Sequence, residues 1–214
     1  MTEKNNLPSQ IPVFPLSNFI IFPGTTVPLN IFEPRYIQMI DDSMKTNRII
    51  GMIQPRKTGD LKKPDLYDVG CAGKITSFNE TEDGRYVIIL NGINRFKINN
   101  EVSTEKLYRT YNVNYGIFSS DSNEKKENLE FSNLELIFKD LKNFFKKRGY
   151  AINWSELKNQ DVNYTINTLS MASPFSLEEK QTLLESTNLN DRKLKLEKIL
   201  KTYTLDMFGN DTIQ

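Results

Sequence analysis

Few side chains of this chain could act in catalysis or bind a metal, because its 214 residues include no histidine. That absence excludes Ser-His-Asp and Cys-His arrangements and every zinc site that needs an imidazole. The single cysteine, Cys71, cannot form an internal disulfide or a cluster of thiolates. Because Cys71 lies in the run Gly70-Cys71-Ala72-Gly73, we interpret it as a buried small hydrophobic residue and not as a nucleophile.

Two Ser-x-x-Lys sequences, Ser103 to Lys106 and Ser155 to Lys158, have the minimal spacing of a lysine-activated serine. Such matches arise by chance in a lysine-rich chain, and neither has the accompanying motifs of a penicillin-recognising enzyme. The acidic groups Asp41-Asp42 and Glu80 to Asp83 fall on a predicted helix and in a predicted turn, where acidic residues are common. We therefore predict no catalytic residue and no enzymatic activity.

The segment Gly70 to Ile75, GCAGKI, shares only its glycines and lysine with a phosphate-binding loop. That loop needs four residues between its glycines and a Ser or Thr after the lysine. Here two residues separate the glycines, and Ile75 follows the lysine. The sequence therefore predicts no nucleotide site, and we expect neither a cofactor nor a metal ion.

The step Glu33-Pro34-Arg35-Tyr36 could be a catalytic constellation, a ligand clamp or a junction between a strand and a helix. Pro34 suits the first position of a helix, where a missing N–H costs nothing. The carboxylate of Glu33 would lie beside the positive end of the helix dipole, and Arg35 could donate to a carboxylate or a carbonyl. We favour the junction, because structural ion pairs are commoner than functional ones.

The elements that would position these residues are mostly strands between residues 11 and 118. Ile11 to Leu16 and Arg48 to Gln54 are strand candidates, and Tyr108 to Phe118 alternates like a last strand. Asp83-Gly84 and Asn91-Gly92 are typical of tight hairpin turns. Several short strands around one embedded helix predict a small, partly closed β-barrel.

The second half of the chain changes to a helical period. Residues 119–128 are polar and charged and are predicted to be a linker. Residues 129–208 carry apolar residues at steps of three and four, so they are predicted to form a helical subdomain. Ser176 to Glu179 has the spacing of a capping box, which places a helix start at Leu177. Residues 1–10 and 209–214 are predicted to be a flexible N-terminus and a tail.

The net charge and the N-terminal sequence predict where the protein is located in the cell and which partners it binds. The 28 basic residues nearly cancel the 27 acidic ones and leave a net charge of +1, so no global field attracts nucleic acid or anionic lipid. The first ten residues are polar and lack the apolar core of a signal peptide. The apolar block Phe19 to Phe22 is far too short to span a membrane. We expect a cytoplasmic protein with no membrane contact.

Six motifs of the chain, taken in order and spacing, resemble the N-terminal substrate-recognition domain of Lon proteases, which also occurs in short stand-alone bacterial proteins and in the cereblon family. The motifs are IPVFPL from Ile11, FPG from Phe22, PLNIFEPRY from Pro28, GCAGKI from Gly70, DGRY from Asp83 and GINRF from Gly92. The resemblance covers about residues 10 to 207. It implies an α+β fold, with an N-terminal PUA-like β-pseudobarrel that embeds one helix and a C-terminal helical bundle, and without the ATPase and protease modules of Lon.

The resemblance implies a non-catalytic module that binds peptides or proteins, as an adaptor or chaperone-like factor in proteolysis. Its expected partners are unfolded or partly folded protein segments and, further, a separate ATP-dependent protease. Aromatic side chains beside a barrel edge or groove can take an extended peptide. The residues expected to contact the peptide or partner are Pro23, Phe32, Arg35 and Tyr36.

An RNA-binding PUA-like module is the alternative, because the Lon N-terminal barrel resembles the PUA-like barrels of RNA-modifying proteins. Binding phosphates requires clustered Lys and Arg. The candidate clusters are Arg56, Lys57, Lys62 and Lys63 in one loop and Lys146-Lys147-Arg148 near a helix end. Lysines in a loop are usually only solvated, and cations at a helix C-terminus complement its dipole. Nucleic acid is therefore the less favoured partner. An enzyme that uses only carboxylates, Ser and Lys is the third hypothesis and the weakest.

Overall fold

The structure is a computed structural model that describes residues 7–59, 63–122, 135–147, 149, 154–158 and 160–209. The chain divides into two compact units, Met1–Asn123 and Glu124–Gln214. Some predicted features lie outside the described residues: Lys62, Arg148, most of the predicted linker, and Leu134, one of the apolar residues at helical spacing in the range 129–208.

The first unit, in its described residues, consists of six strands, one α-helix and one 3-10 segment. The strands are β1 (Gln10–Pro15), β2 (Thr26–Ile31), β3 (Ile49–Gly59), β4 (Pro64–Glu80), β5 (Tyr86–Val102) and β6 (Thr110–Asn114). Helix α1 (Pro34–Met44) lies between β2 and β3, and the 3-10 segment Gly116–Ser122 follows β6. Strands and helices together make the α+β class that the sequence predicts.

The sheet has the order β2-β5-β4-β3-β1-β6, and β6 also pairs with β5. This extra pairing closes β1, β3, β4, β5 and β6 into a ring, whereas β2 pairs with β5 and remains outside it. The ring encloses a core that includes Ile11, Val13, Phe96 and Val113. The prediction that this ring is PUA-like stays a prediction.

Strand β5 corrects one sequence prediction, because Asn91-Gly92 is not a hairpin turn. Both residues lie inside a continuous strand that pairs with β2 and with β4. Glycine is required at position 92 for a different reason, since a Cβ atom there would lie 2.1 Å from the carbonyl oxygen of Phe22. The other predicted turn is confirmed, with the Gly84 N–H donating to Thr81 O at 2.9 Å and Gly84 at a φ of +76°.

The end of the first unit also differs from the prediction. The last strand covers Thr110–Asn114 and is shorter than the predicted Tyr108 to Phe118. Residues 119–122, which composition places in the linker, belong to the 3-10 segment. Asp121 of that segment accepts from Arg95 Nε at 2.9 Å and from Arg95 Nη2 at 2.8 Å. A polar run therefore contains a structural carboxylate, which composition alone does not reveal.

The second unit is helical, with α2 (Glu135–Lys147), α3 (Trp154–Lys158), α4 (Val162–Ala172), α5 (Leu177–Leu184) and α6 (Leu189–Gly209). The predicted capping box is confirmed: Ser176 accepts from the Glu179 N–H at 3.2 Å, and Glu179 accepts from the Ser176 N–H at 2.7 Å. Phe144 of α2 packs against the rings of Phe175 and Tyr203, 5.7 and 4.7 Å away between centroids. In the part of the chain that the structure describes, no helix is both long and apolar enough to span a membrane.

Candidate functional site

The Glu33-Pro34-Arg35-Tyr36 step joins β2 to α1, so the interpretation as a junction is confirmed. Pro34 is the first residue of α1, and the Glu33 carbonyl accepts from the Tyr36 and Ile37 N–H groups at 2.9 and 3.0 Å. Arg35 donates to Glu33 Oε2 through Nε at 2.9 Å and lies 2.8 Å from it through Nη2. The side chains of both partners remain 44% exposed. The ion pair is therefore part of the surface and can face a ligand.

Tyr36 is mostly buried, so its ring packs beneath the surface and contributes little exposed area. Its ring lies edge-on to Phe14, 4.3 Å away between centroids, and the Arg35 guanidinium lies 4.5 Å above it. Only 5% of the residue is exposed. Burial raises the pKa of the Tyr36 phenol, although the positive charge of Arg35 opposes this shift. The phenol therefore stays neutral at physiological pH.

Arg35 and Tyr36 line a concavity of the first unit, which we call the groove, with a volume of about 580 Å³. Four parts of the unit form its walls: β1 and the residues after it, the start of α1, the β3–β4 hairpin, and the segment that joins β5 to β6. The lining residues are Val13, Pro15, Ser17, Arg35, Tyr36, Pro55, Lys63, Pro64, Glu101–Thr104 and Lys106–Arg109.

One wall of the groove is fixed by Arg109. Its guanidinium donates to Glu101 through Nε at 3.1 Å and through Nη2 at 2.9 Å. It also donates to the Pro64 carbonyl at 2.7 Å and to the Tyr111 hydroxyl. These bonds join the end of β5, the start of β4 and β6. Arg109 therefore acts as a rigid part of the wall.

Glu101 is the only carboxylate among the described residues that line the groove, and it has two cationic partners. Arg109 lies 2.9 Å from it, and Lys63 Nζ lies 3.2 Å from its Oε1 atom. Burial acts to raise the pKa of Glu101, but the hydrogen bonds and charges of Arg109 and Lys63 outweigh burial, so the pKa falls below its ordinary value of 4.5. The carboxylate is therefore ionised at neutral pH.

The segment that joins β5 to β6 is bonded to α1. Tyr108 donates to Asp42 Oδ2 at 2.8 Å, and Lys106 Nζ lies 2.8 Å from the Tyr108 hydroxyl and 3.1 Å from Asp42. The Leu107 N–H donates to Gln38 Oε1 of α1 at 2.9 Å. These bonds hold the Leu107 side chain in solvent, where it is 63% exposed.

The groove brings Ser103 and Lys106 to one surface, so the Ser-x-x-Lys spacing requires a chemical test. A lysine that activates serine must lose its proton readily, which requires a lowered pKa. Hydrogen bonds with Tyr108 and then Asp42 instead raise the pKa of Lys106. Lys106 therefore remains an ammonium ion and cannot serve as the base. The other pair, Ser155 and Lys158, lies on α3, where the lysine side chain is outside the described residues.

Of the four residues predicted as a binding surface, Arg35 and Tyr36 line the groove, whereas Pro23 and Phe32 lie beyond opposite ends of β2. Pro23 occupies the turn before β2, where the Thr25 N–H donates to Phe22 O at 3.1 Å, whereas Phe32 follows the last residue of β2. The six residues of β2 separate them by roughly 17 Å at the rise of an extended strand. Phe32 is 64% exposed, but neither Phe32 nor Pro23 lines the groove.

Sequence reasoning missed the segment from Glu101 to Arg109, which supplies half of the groove. A signal is present in Lys106-Leu107-Tyr108-Arg109, where two cations flank two apolar residues. The alternation that begins at Tyr108 also suits a strand, and only the pairing of β6 from Thr110 onward shows that Tyr108 and Arg109 precede the strand.

The basic residues considered for RNA are in part engaged with the protein itself. Arg56 donates to the Leu66 carbonyl at 3.0 Å and lies 4.4 Å from the centroid of the Tyr67 ring. Lys63 faces the groove beside Glu101.

The described residues contain no group of three His, Cys, Asp or Glu side chains that could hold a metal ion.

Comparison with known proteins gives a consistent family. The family model described as the ATP-dependent protease La (LON) substrate-binding domain matches residues 10–202. A Lon protease of Flavobacterium johnsoniae is 30% identical over 206 residues, which cover 90% of this chain and 24% of that protein. A Lon protease of Parabacteroides distasonis is 29% identical over 198 residues, covering 89% of this chain and 23% of that protein. The chain thus spans about a quarter of the length of these relatives.

Solved structures show the same fold. A Lon N-terminal domain protein from Xanthomonas campestris superposes with a TM-score of 0.64 at 20% identity, covering 89% of this chain and 98% of that one. The N-terminal domain of the Mycobacterium avium complex Lon protease gives a TM-score of 0.62 at 16% identity, with 90% and 98% covered. These matches give the RNA-binding alternative no support. Since the family model covers nearly the whole chain, this protein belongs to the family of the ATP-dependent protease La (LON) substrate-binding domain.

Proposed function

We propose that this protein binds extended, partly apolar segments of other proteins in the groove and does not process them. The observation that carries the proposal is a groove whose walls combine exposed apolar surface with charged groups held in place by hydrogen bonds. Leu107 supplies the apolar part, and Arg109 and Lys106 are among the fixed charges. Such a mixture suits a polypeptide, which offers both apolar side chains and polar backbone groups.

The size of the groove agrees with this proposal. Its volume of about 580 Å³ falls within the range of roughly 300 to 1,000 Å³ that is usual for ligand sites. A groove of this size can take a few side chains of an extended segment, but not a folded domain. The ligand would therefore be an unfolded or partly folded stretch of chain.

The family supports the same conclusion. Its model is described as a substrate-binding domain of a protease, and the substrates of proteases are polypeptides. We propose that unfolded or partly folded protein segments are the partners, and that a separate ATP-dependent protease in the cytoplasm receives the bound segment. The protein would then act as an adaptor. The raised pKa of Lys106 supports a non-catalytic role.

Fluorescence anisotropy of a labelled, permanently unfolded, aromatic-rich protein chain tests this function. We expect saturable binding without nucleotide, and no binding of a single-stranded RNA oligonucleotide in the same buffer. Binding of the RNA alone, weakening as salt is added, would contradict the proposal and favour the RNA-binding module.

Replacing Leu107 tests whether the groove is the binding site for the unfolded chain. We expect Leu107→Asp to weaken binding of the unfolded chain about ten-fold, because an apolar contact of this side chain is lost. The matched control is Leu194→Asp on α6, an exposed leucine of the second unit with 54% of its surface in solvent. The control should bind as the unchanged protein does. Equal weakening by both substitutions would remove the groove as the binding site.

A further inference from the structure

We infer that the groove selects protein segments in which carboxylates accompany the apolar side chains. This inference rests on the proposed function and adds the class of segment to it. The relevant chemistry is that of a carboxylate, whether it belongs to an Asp or Glu side chain or to the C-terminus of the bound chain. Peptides that carry one kind of carboxylate or the other separate these two sources.

The lining of the groove is unbalanced in charge. Four cations line it, Arg35, Lys63, Lys106 and Arg109, against the single carboxylate of Glu101 among the described residues. The carboxylates that pair with Arg35 and Lys106 belong to Glu33 and Asp42, which do not line the groove. The groove therefore presents cations toward a ligand, while two of the partner carboxylates lie outside its lining. A charge distribution of this kind favours anions and disfavours cations.

Three of these cations retain hydrogen-bonding capacity. Arg35 contacts one oxygen of Glu33 through Nε and Nη2, which leaves its Nη1 group available to a ligand. Lys63 pairs with Glu101 as its one charged partner in the described part of the chain. Lys106 donates to Tyr108 and lies beside Asp42. Since an ammonium has three donors and a guanidinium five, each of the three can also bind a ligand carboxylate.

Exposure distinguishes these three cations from Arg109. The side chains of Arg35, Lys63 and Lys106 are 44%, 64% and 47% exposed, whereas that of Arg109 is 20% exposed. Arg109 has four bonds to the protein and acts as part of the wall. We therefore assign the ligand contacts to Arg35, Lys63 and Lys106. Leu107, beside Lys106, supplies the apolar contact next to the charge.

The test uses three short peptides of one aromatic-rich sequence, each labelled at its acetylated N-terminus. The first carries two Asp residues and a C-terminal amide, the second has Asn at both positions and the amide, and the third has Asn and a free C-terminal carboxylate. We expect the Asp peptide to bind about five-fold more tightly than the neutral one, as one or two exposed ion pairs allow. The difference should shrink as salt is added. A preference for the third peptide instead would support the C-terminus as the source of the carboxylate.

Substitutions of the cations in the groove test whether the preference for carboxylates arises there. Lys63→Gln and Lys106→Gln combined with Arg35→Gln should abolish the preference for carboxylates while the neutral peptide still binds. Arg35→Gln alone should reduce the preference. Its matched control is Arg85→Gln, because Arg85 also pairs with a carboxylate two positions earlier, Asp83, at 2.9 Å and is 53% exposed. The control should retain the full preference. Circular dichroism verifies that each variant is folded.

The outcomes separate this inference from the proposed function. Equal binding of all three peptides would overturn the inference and leave the proposed function intact. A preference that survives in the triple variant of Arg35, Lys63 and Lys106 would also overturn it, because the groove would not be its source. If neither the peptides nor the unfolded chain bind, the proposed function fails, and the inference fails with it.

Discussion

Glu101 ties the stability of the groove to pH. Its carboxylate accepts from Arg109 and pairs with Lys63, and these contacts hold its pKa below the ordinary 4.5. A carboxyl group whose folded pKa is lowered adds stability above its unfolded pKa and loses it as the pH falls through the folded value. The contribution of Glu101 should therefore be complete at neutral pH and should decline as the pH falls below about 4.5.

We expect Glu101→Gln to lower the free energy of unfolding at pH 7, and we expect this effect to shrink as the pH falls below about 4.5. Urea unfolding of the variant and of the unchanged protein at several pH values gives the difference directly. Glu82→Gln, in the exposed turn between β4 and β5, is the control and should change little at any pH. A Glu101→Gln effect that stays constant down to pH 3 would show that the charge of the carboxylate is not the cause.

At the scale of elements, β5 depends on a close approach at Gly92. A Cβ atom at this position would lie 2.1 Å from the Phe22 carbonyl oxygen. We expect Gly92→Ala to separate the turn before β2 from β5 and to cost about 2 to 3 kcal/mol in the free energy of unfolding. Urea unfolding measures this cost.

Gly84→Ala is the matched control for Gly92→Ala. Gly84 has a φ of +76°, but a Cβ atom added there would meet no other atom within 4 Å, so its substitution tests backbone conformation alone. We expect a cost of about 1 kcal/mol. A Gly92→Ala cost no greater than this would mean that the neighbouring carbonyl moves aside easily.

The 3-10 segment after β6 depends on the pair formed by Arg95 and Asp121. The Arg95 side chain is 2% exposed and the Asp121 side chain 10%, and the Arg95 guanidinium also lies 4.2 Å from the centroid of the Phe118 ring. Removing one partner of a buried pair leaves the other charge without compensation, which typically costs about 3 to 5 kcal/mol. The segment should loosen with the loss of its carboxylate.

We expect Asp121→Asn to lower the free energy of unfolding by about 3 kcal/mol and to increase amide exchange across Gly116–Ser122. The control is Asp68→Asn, since Asp68 pairs with Arg56 at 3.5 Å on the surface, where the Arg56 and Asp68 side chains are 42% and 56% exposed. It should change stability by less than about 1 kcal/mol. Unchanged exchange in Asp121→Asn would show that other contacts hold the segment.

Sequence patterns predict the elements that have a local cause and miss those that have a distant one. Pro34 and the capping box at Ser176 act within one helical turn, so the sequence places both helix starts correctly. The turn predicted at Asn91-Gly92 is wrong, because the requirement for glycine there comes from Phe22, which lies far earlier in the chain. Composition likewise does not reveal that Asp121 bonds to Arg95, because Arg95 is supplied by β5, which lies earlier in the chain.

At the scale of the whole molecule, the net charge of the chain and the charge of the groove lead to different predictions about charged partners. The net charge of +1 predicts no preference for charged partners. The groove nevertheless collects four cations from separate parts of the chain against one carboxylate among its described lining residues. The sequence predicts Arg35 and Tyr36 at this surface, whereas Lys63 and the segment from Glu101 to Arg109 reach it only through the closure of the sheet. A site of this kind depends on tertiary structure, and a sum over the sequence cannot reveal it.

The closure of the ring by β6 also determines when the first unit can fold. Gln10 of β1 pairs with Asn112 of β6, and the two residues are separated by 102 positions along the chain. At synthesis rates of roughly 5 to 20 residues per second, β6 is synthesised about 5 to 20 seconds after β1. During that time β1 lacks one of its two neighbours, and its apolar residues Ile11 and Val13 have no complete core to enter. Pairings between residues so distant in sequence also form slowly. A protein that we propose to bind unfolded chains would thus itself pass through a nascent state with exposed apolar surface, the kind of state that chaperones recognise.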